Sequence, residues 1–360
     1  MNRRVKKRIA LLLVFAMTAT CLAGCGKSNS GDEQNVGSLN VLIWDGNYAE
    51  EVWEDFEEET GIHVNVSYIT STDEILAKLV SGNADYDYID LESAYIKSFV
   101  DNGLLAEIDQ SKIPNMKYLK EGLDSPVGDE DNRYTIPASS DIYTCIVYNK
   151  ETCPIEITSF ADLADPKLKG DLCMVNSTIS LFGVALESLG YEASSSNEDE
   201  IAEAYKILTE IKPNVKAFAG ESCLSQLENG ECSVALFWDY PLLMMNPDNW
   251  DKFAIAEIDS GYEKSNGFIA IPASSKKKQE AEQLINFVLK PEEQAKSLAT
   301  SMAEPAELQE VMEPLLGEEY YKNPAFHIPQ SVQDQAWHIA IDDTQIDIMD
   351  TYYTKLMSDQ

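Results

Sequence analysis

From Leu39 onward, apolar runs alternate with amphipathic segments, and this alternation restricts the possible fold more than any other feature of the chain. Trp53 and Phe56 share the apolar face of a segment with helical spacing, so we expect both to be core residues. The opening reads strand, helix, strand, helix, strand, with predicted strands at Leu39–Ile43, His63–Ile69 and Tyr86–Leu91. This order predicts an α/β fold with a mixed, mostly parallel sheet flanked by helices, in which ligands bind beyond the carboxyl ends of the strands.

A similar alternation restarts in the middle of the chain and predicts a second lobe. Its predicted strands lie at Ile142–Tyr148, Asp171–Val175, Val215–Phe218 and Ser233–Trp238. Gly267–Pro272 looks like a strand that returns to the first lobe, before a helix over Gln279–Leu289 that Pro291 interrupts. We therefore expect two crossings that form a hinge, with lobe 1 at 39–143 plus 266–305 and lobe 2 at 144–265 plus 306–360.

Residues 1–24 have the features of a signal peptide. Five basic residues precede an apolar run from Ile9 to Leu22, which is too short to span a bilayer comfortably as a mature helix. The closing Leu-Ala-Gly-Cys resembles the bacterial lipobox, and this resemblance implies cleavage before Cys25 and diacylation of that cysteine. Residues 25–38 would then be the lipidated N-terminus and a flexible spacer. The protein would be anchored to the cell membrane on its periplasmic side, the alternative being an ordinary secreted protein with a chance cysteine.

The formal net charge of −35 argues against a nucleic-acid partner. Removal of the leader takes away five basic residues and no acidic ones, so the mature chain would carry about −40 and would repel a phosphate backbone. Such a surface favours cations, but a solvated acidic face that maintains solubility would explain the excess as well.

Cysteines and histidines form no metal motif in the sequence. Five cysteines remain in the mature body, and a disulfide between them is permitted outside the membrane without being required: Cys145, Cys153, Cys173, Cys223 and Cys232. The histidines are scattered, at His63, His327 and His338. We expect neither a structural metal nor a cofactor.

Short motifs along the body come in the order and at the spacings of a known family. They include Leu42-Ile43-Trp44, Glu59-Thr60-Gly61-Ile62, Leu189-Gly190-Tyr191, Phe237-Trp238 and Ile271-Pro272. On these residues the chain resembles the spermidine/putrescine-binding proteins of bacterial ABC importers. The resemblance implies a two-lobed periplasmic-binding-protein fold of type 2 and delivery of a small-molecule ligand, a polyamine such as putrescine or spermidine, to the transporter's permease subunits. We expect the protein to be a monomer.

The resemblance also implies aromatic residues that would line the methylene chain of a polyamine. Trp44 and Trp238 match pocket tryptophans of the family by position. Tyr48 and Tyr95 each lie one residue from a family pocket position, held here by Asn47 and Ala94. Trp250 and Trp337 have no such support, and we assign them to packing.

The acidic residues of the family pocket are not at their expected positions. The chain has Ser177, Ser180 and Gly267 in their places, and Ser177 and Ser180 would act as hydrogen-bonding groups from the second lobe. A desolvated ammonium needs an anion or an aromatic face. Other acids could meet the charge of the ligand, and the candidates are Asp45, Asp141, Asp239 and Glu304.

Several functional alternatives stay open from the sequence. A neutral or anionic solute would suit serines and backbone amides better than carboxylates. A sensory partner of a membrane receptor would look the same as a transport component. A surface hydrolase is the alternative of another class, but the chain has no nucleophile elbow, no His-Glu-x-x-His and no glycine-rich phosphate loop, and only His338 and Asp342 could share a helical face. We therefore expect no enzyme.

Overall fold

The computed structural model describes residues 37–69, 72–82, 85–121, 123, 125–298, 305–323, 325 and 327–358. The predicted signal peptide, Cys25 and Glu304 lie outside these ranges, and the expectations that concern them stay predictions. The described residues from Ser38 onward make up one compact unit by their internal contacts. None of the helices in the described ranges combines the length and the apolar character that crossing a bilayer requires.

The first sheet takes its strands from two distant parts of the chain, in the order β2-β1-β3-β11-β4. These strands are β1 (Ser38–Trp44), β2 (His63–Ile69), β3 (Tyr88–Glu92), β4 (Thr135–Pro137) and β11 (Gly267–Ala270). Strand β1 pairs in parallel with β2 and β3, whereas β11 runs antiparallel to β3 and β4. The helices that follow its first three strands are α1 (Glu50–Thr60), α2 (Thr72–Val80) and α3 (Ser93–Asp101).

Alternate residues of β1 enter two separate apolar clusters, as expected for a strand buried on both faces. Val41 packs with Trp53 and Phe56 of α1, which confirms that both aromatic residues belong to the core. Leu42 packs on the other face with Phe99 of α3. The two faces are therefore covered by helices, which leaves the strand ends as the accessible part of the sheet.

Helix ends in this lobe follow local backbone chemistry. Helix α1 ends at Gly61, whose φ of 73° is left-handed and whose N–H donates to the Glu57 carbonyl. Helix α7 covers Lys278–Val288, close to the predicted span. Pro291 then begins a further helix, α8 (Pro291–Leu298), because a proline at the first helical position has no N–H to leave unpaired.

The second sheet has the order β10-β5-β8-β6-β7, and β9 also pairs with β5. Its strands are β5 (Ile142–Asn149), β6 (Leu172–Met174), β7 (Val215–Phe218), β8 (Val234–Trp238), β9 (Phe253–Ile255) and β10 (Glu263–Ser265). Strand β6 is parallel to β7 and β8, while β5 is antiparallel to β8, β9 and β10. Both sheets are thus mixed, and the antiparallel pairs involve strands next to the crossings.

Helices and short 3-10 turns complete the second half. The α-helices are α4 (Thr178–Ser188), α5 (Glu198–Ile211), α6 (Ser222–Glu228), α9 (Gln309–Leu316), α10 (Gln330–Asp334) and α11 (Asp343–Ser358). The 3-10 turns are Gln110–Lys112, Pro114–Tyr118, Phe160–Ala164, Pro166–Leu168, Lys212–Asn214, Tyr240–Met244, Pro247–Lys252 and Tyr320–Lys322.

The chain passes between the sheets at 138–141 and at Asn266. The segment that begins at residue 306, expected in lobe 2, contacts lobe 1 instead. Backbone hydrogen bonds join Lys120 to Ala306 and Leu308 to Tyr118, and α9 packs against α8. This short backbone ladder keeps the chain near lobe 1 beyond residue 305, whereas α11 packs against α4 and α5.

Candidate ligand-binding site

A tight turn after β1 builds the first part of the site. Trp44 ends the strand, and the Asn47 N–H donates to its carbonyl over 3.4 Å, with Gly46 at a φ of 85° that favours glycine. The turn brings two side chains to Asp90 of β3. Asn47 Nδ2 donates to Asp90 Oδ2 over 3.0 Å, and Tyr48 OH donates to Asp90 Oδ1 over 3.3 Å.

Asp90 is a buried carboxyl group that sequence reasoning missed. It is 3% exposed, and burial raises its pKa to about 7, against the opposing hydrogen bonds from Asn47, Tyr48 and the Trp44 backbone. The hydroxyl groups of Tyr48 and Tyr88 lie 2.6 Å apart beside it. The group therefore changes charge near neutral pH, and a nearby cation would favour its ionised form.

Glu307 is a second buried carboxyl group on the same side of the molecule. It is 0% exposed, and within the described ranges no other residue donates to either of its carboxyl oxygens. Burial raises its pKa to about 7, while its own backbone N–H and then the charge of Lys120 oppose the shift. The pKa of Tyr48 is raised by burial, then by the charge of Asp90, and also by Glu307, so these side chains lie within electrostatic reach of one another.

Asp141 lies in the crossing and already has partners. Asn266 Nδ2 donates to Asp141 Oδ1 over 2.6 Å, and Lys264 Nζ lies 3.7 Å from Oδ2. The N–H of Gly267 donates to Ser139 Oγ over 2.8 Å, and a Cβ at residue 267 would lie 3.1 Å from that oxygen. An acidic side chain at this position would therefore need a local shift.

Asp239 occupies the carboxyl end of β8. The Tyr143 N–H donates to its Oδ1 over 2.9 Å, while no donor in the described part of the chain reaches Oδ2. The residue is 1% exposed, and burial raises its pKa to about 8, against the backbone N–H groups of Tyr143, Asp239 and Tyr240, which lower it; the charge of Asp141 adds a smaller increase. The Tyr143 N–H thus fixes Oδ1, while Oδ2 accepts no hydrogen bond of standard geometry from the described residues.

Trp238 and Tyr240 form a stacked aromatic pair beside Asp239, which we call the aromatic wall. Their ring centroids are 6.0 Å apart and their planes differ by 15°. A Cβ at Gly220 would lie 3.3 Å from Trp238 Cζ3, so the loop passes close beneath the indole. Tyr240 OH donates to Glu221 over 2.9 Å. The loop that precedes α6 therefore supports both rings.

The two predicted serines lie together at the start of α4. Ser177 caps the helix, because its Oγ accepts from the Ser180 N–H over 3.2 Å. Thr144 Oγ1 donates to Glu263 over 2.8 Å, and Glu263 also receives a hydrogen bond from Ser180. Burial raises the pKa of Glu263, while these hydrogen bonds and the positive charge of His338 act to lower it. A buried carboxyl group from β10 thus lies beside Ser180.

The other predicted site residues have different surroundings. Asp45 is exposed in the turn after β1, and Tyr95 is 6% exposed within the apolar cluster around α3. Trp250 and Trp337 pack against apolar clusters and donate to backbone carbonyls. The acids that were missed are Asp90, Glu263 and Glu307. An acid inside an apolar strand such as Tyr88-Ile89-Asp90-Leu91 is the one sequence signal that could have indicated the first of them.

The helical face that the spacing of His338 and Asp342 allowed is not formed. Both residues precede α11, which begins at Asp343, so they share no helical face. Asp342 accepts a hydrogen bond from Ser196 Oγ over 3.0 Å, whereas the charge of His338 lowers the pKa of Glu263. In the described ranges, no group of His, Cys, Asp and Glu side chains is arranged to hold a metal ion.

Residues 51–326 match the family described as bacterial extracellular solute-binding protein. The chain belongs to this family. The solute-binding protein is 31% identical over 258 residues to the spermidine/putrescine-binding periplasmic protein of Escherichia coli K12, covering 70% of this chain and 72% of the relative. It is 25% identical over 366 residues to spermidine/putrescine-binding periplasmic protein 1 of Haemophilus influenzae, covering 97% and 99%. These relatives confirm the resemblance drawn from the sequence motifs.

Solved structures confirm the fold of this solute-binding protein. A putative spermidine/putrescine ABC transporter protein from Listeria monocytogenes superposes with a TM-score of 0.78 at 23% identity, covering 89% of this chain and 99% of that one. The spermidine/putrescine transporter substrate-binding protein PotD of Streptococcus pneumoniae gives 0.72 at 21% identity, with coverage of 89% and 98%. The two-lobed α/β architecture is therefore that of periplasmic binding proteins, and the family works outside the cytoplasmic membrane.

Proposed function

We propose that this protein is the binding subunit of an ABC importer and takes up a polyamine such as putrescine or spermidine between its two lobes. The observation that carries the proposal is the unused oxygen atoms of two buried carboxyl groups, Asp239 and Glu307. A buried polar atom without a partner is costly, and a ligand that donates to it would remove this cost.

The charge of these groups selects the chemistry of the ligand. Burial without a cation raises the pKa of Asp90 and Glu307 to about 7 and that of Asp239 to about 8. An anionic ligand would increase this penalty, while an ammonium group would remove it. These carboxyl groups therefore favour a cationic ligand over the neutral or anionic solute that the sequence left open.

Aromatic side chains supply the second requirement of a polyamine. Trp44 ends β1 and Trp238 ends β8, and both are half-buried, so each retains ring surface for a ligand. The methylene groups of a polyamine would pack on the rings, and its ammonium groups would gain from the ring faces. We propose that the ligand lies between Trp44 and the aromatic wall.

Carboxylates at new positions would replace those of the family pattern. Ser180 stands where the family has an acid, and the Glu263 carboxyl group accepts a hydrogen bond from it. Glu263, Asp239, Asp90 and Glu307 are the proposed ammonium partners; Asp141 orients the crossing through Asn266. Ser177 holds the start of α4 and acts through Ser180.

We also propose that cleavage before Cys25 leaves a lipid-anchored monomer whose body is presented to a permease. Two acyl chains on this cysteine would provide stable membrane attachment. No catalytic role is proposed.

Isothermal titration of the body from Ser38 onward tests the ligand. The titrants are putrescine, spermidine, a basic amino acid, a neutral sugar and an anionic phosphonate. We expect micromolar or tighter binding of a polyamine only, with proton release in buffers of different ionisation enthalpy at pH 7. Binding of the sugar or the phosphonate, with no heat from any amine, would overturn the proposal.

A further inference from the structure

Three buried cysteines meet behind the aromatic wall. Cys173 is the middle residue of β6, Cys223 lies in the first turn of α6 and Cys232 precedes β8. Their exposed fractions are 0%, 0% and 2%. The sulfur atoms of Cys173 and Cys223 lie 2.6 Å apart, and the Cys223 thiol donates to the Ala219 carbonyl over 2.7 Å.

We propose that Cys173 and Cys223 are an oxidation site that becomes a disulfide when the protein folds outside the cytoplasmic membrane. Backbone pairing already holds the two segments together, because Cys173 is in register with Ala217 and the Ala219 N–H donates to the Met174 carbonyl over 2.8 Å. The bond thus requires only a small approach of two sulfur atoms in contact. The extracytoplasmic location of the family permits it.

The oxidant is a disulfide of a thiol–disulfide exchange partner. The Cys173 thiolate attacks one sulfur of that disulfide, which forms a mixed disulfide and expels a thiolate. The Cys223 thiolate then attacks the Cys173 sulfur and expels the second thiolate. The two cysteines lose two protons and two electrons, and the oxidant leaves as two thiols. Both attacks take place while the chain folds, because the two thiols are fully buried in the folded protein.

The disulfide would stabilise the loop beneath the aromatic wall. That loop, 219–221, contains Gly220 under the Trp238 indole and Glu221, which accepts from Tyr240. A covalent link from β6 to Cys223 closes the chain between residues 173 and 223 into a loop and so reduces the conformational entropy of the unfolded state. Reduction would therefore loosen the loop and lower the thermal stability of the whole body.

Peptide mapping of the exported full chain tests the pairing directly. The protein is purified without reductant, denatured in iodoacetamide and digested with trypsin and a Glu-specific protease. Cleavage after Glu228 and Glu231 separates Cys223 from Cys232. We expect a peptide pair joined through Cys173 and Cys223, and alkylation of Cys145, Cys153 and Cys232. Alkylation of all five cysteines, or a link through Cys232, would overturn the proposal.

Thermal melting with and without dithiothreitol provides a second test. We expect the reductant to lower the Tm of the wild type by about 5–10 °C. Cys153→Ser, a control that keeps the pair, should show the same decrease. Cys173→Ser should melt lower and show no decrease, and an undiminished response in this variant would contradict the pairing. The peptide map decides the matter if Cys173→Ser does not fold.

Discussion

The Tyr143 N–H donates to Asp239 Oδ1 over 2.9 Å and leaves Oδ2 of the same carboxyl group without a donor in the described ranges. Backbone geometry therefore fixes the direction of the acid at the end of β8, next to Trp238. A buried carboxyl oxygen that accepts no hydrogen bond of standard geometry from the described residues is the defining feature of the proposed site.

Asp239→Asn should weaken putrescine binding by about 10- to 100-fold, because it removes a charged partner worth about 1.5–3 kcal/mol while keeping the shape of the side chain. The measurement is isothermal titration at pH 7.5. Asp248→Asn is the matched control, since Asp248 is exposed in the same lobe. This variant should bind putrescine as tightly as the wild type does. Equal affinity of Asp239→Asn and the wild type would remove Asp239 from the site.

Trp44→Ala should weaken polyamine binding by on the order of a few kcal/mol through lost packing and cation–π contact. Trp250→Ala provides the comparison, because Trp250 packs against an apolar cluster and donates to the Met245 carbonyl. We expect this control to lower the Tm without changing the affinity. Titration and thermal melting of both variants separate the two effects, and the opposite pattern would place Trp44 in the core only.

A pair of substitutions at Glu263 and Ser180 tests whether the carboxylate of Glu263 takes the place of the acid that the family pattern has at residue 180. Glu263→Gln should weaken putrescine binding by about 10-fold or more. Adding Ser180→Glu should restore much of the lost affinity, because it returns a carboxylate beside residue 263. The helix tolerates it, since a glutamate at the third position of α4, after the Ser177 cap, is favourable. Affinities of the single and double variants provide the measurement. No recovery in a folded double variant would argue against exchange of the two positions.

Stability of the ligand-free protein should fall as pH rises. Burial raises the folded-state pKa of Asp90 and Glu307 to about 7 and that of Asp239 to about 8, so the folded state holds protons that the unfolded state has lost. Their stabilisation is complete below the unfolded pKa of about 4 and is lost as pH rises through 7 to 8. We expect the Tm to decrease between pH 5.5 and 8.5 at constant ionic strength.

Glu307→Gln isolates one of these groups. Its Tm should decrease less over the same interval and should exceed that of the wild type at pH 8.5, whereas Glu310→Gln, an exposed control on α9, should follow the wild type. Polyamine affinity of the wild type should rise over this interval, since the cation requires the ionised carboxylates. A Tm that does not depend on pH would contradict the role of these buried acids.

Local sequence patterns were sufficient to predict the layered α/β architecture. The period of apolar residues placed β1, α1 and β2 within a residue or two, and Trp53 and Phe56 lie in the core as their helical spacing indicates. Motif order also identified the family. The path of the chain beyond residue 305 was not predictable in this way, because its pairing with residues 118–120 is a long-range contact without a local signature.

The sequence by itself determined the two-lobed fold, the family and the tryptophans at the ends of β1 and β8, since these follow from periodicity and short motifs. Only the tertiary structure decided which acids are buried there. Asp90, Glu263 and Glu307 come from distant parts of a strongly acidic chain, in which most carboxylates are solvated. Burial and hydrogen bonding to neighbours far along the chain distinguish them, and these properties arise only when the strands and crossings are assembled.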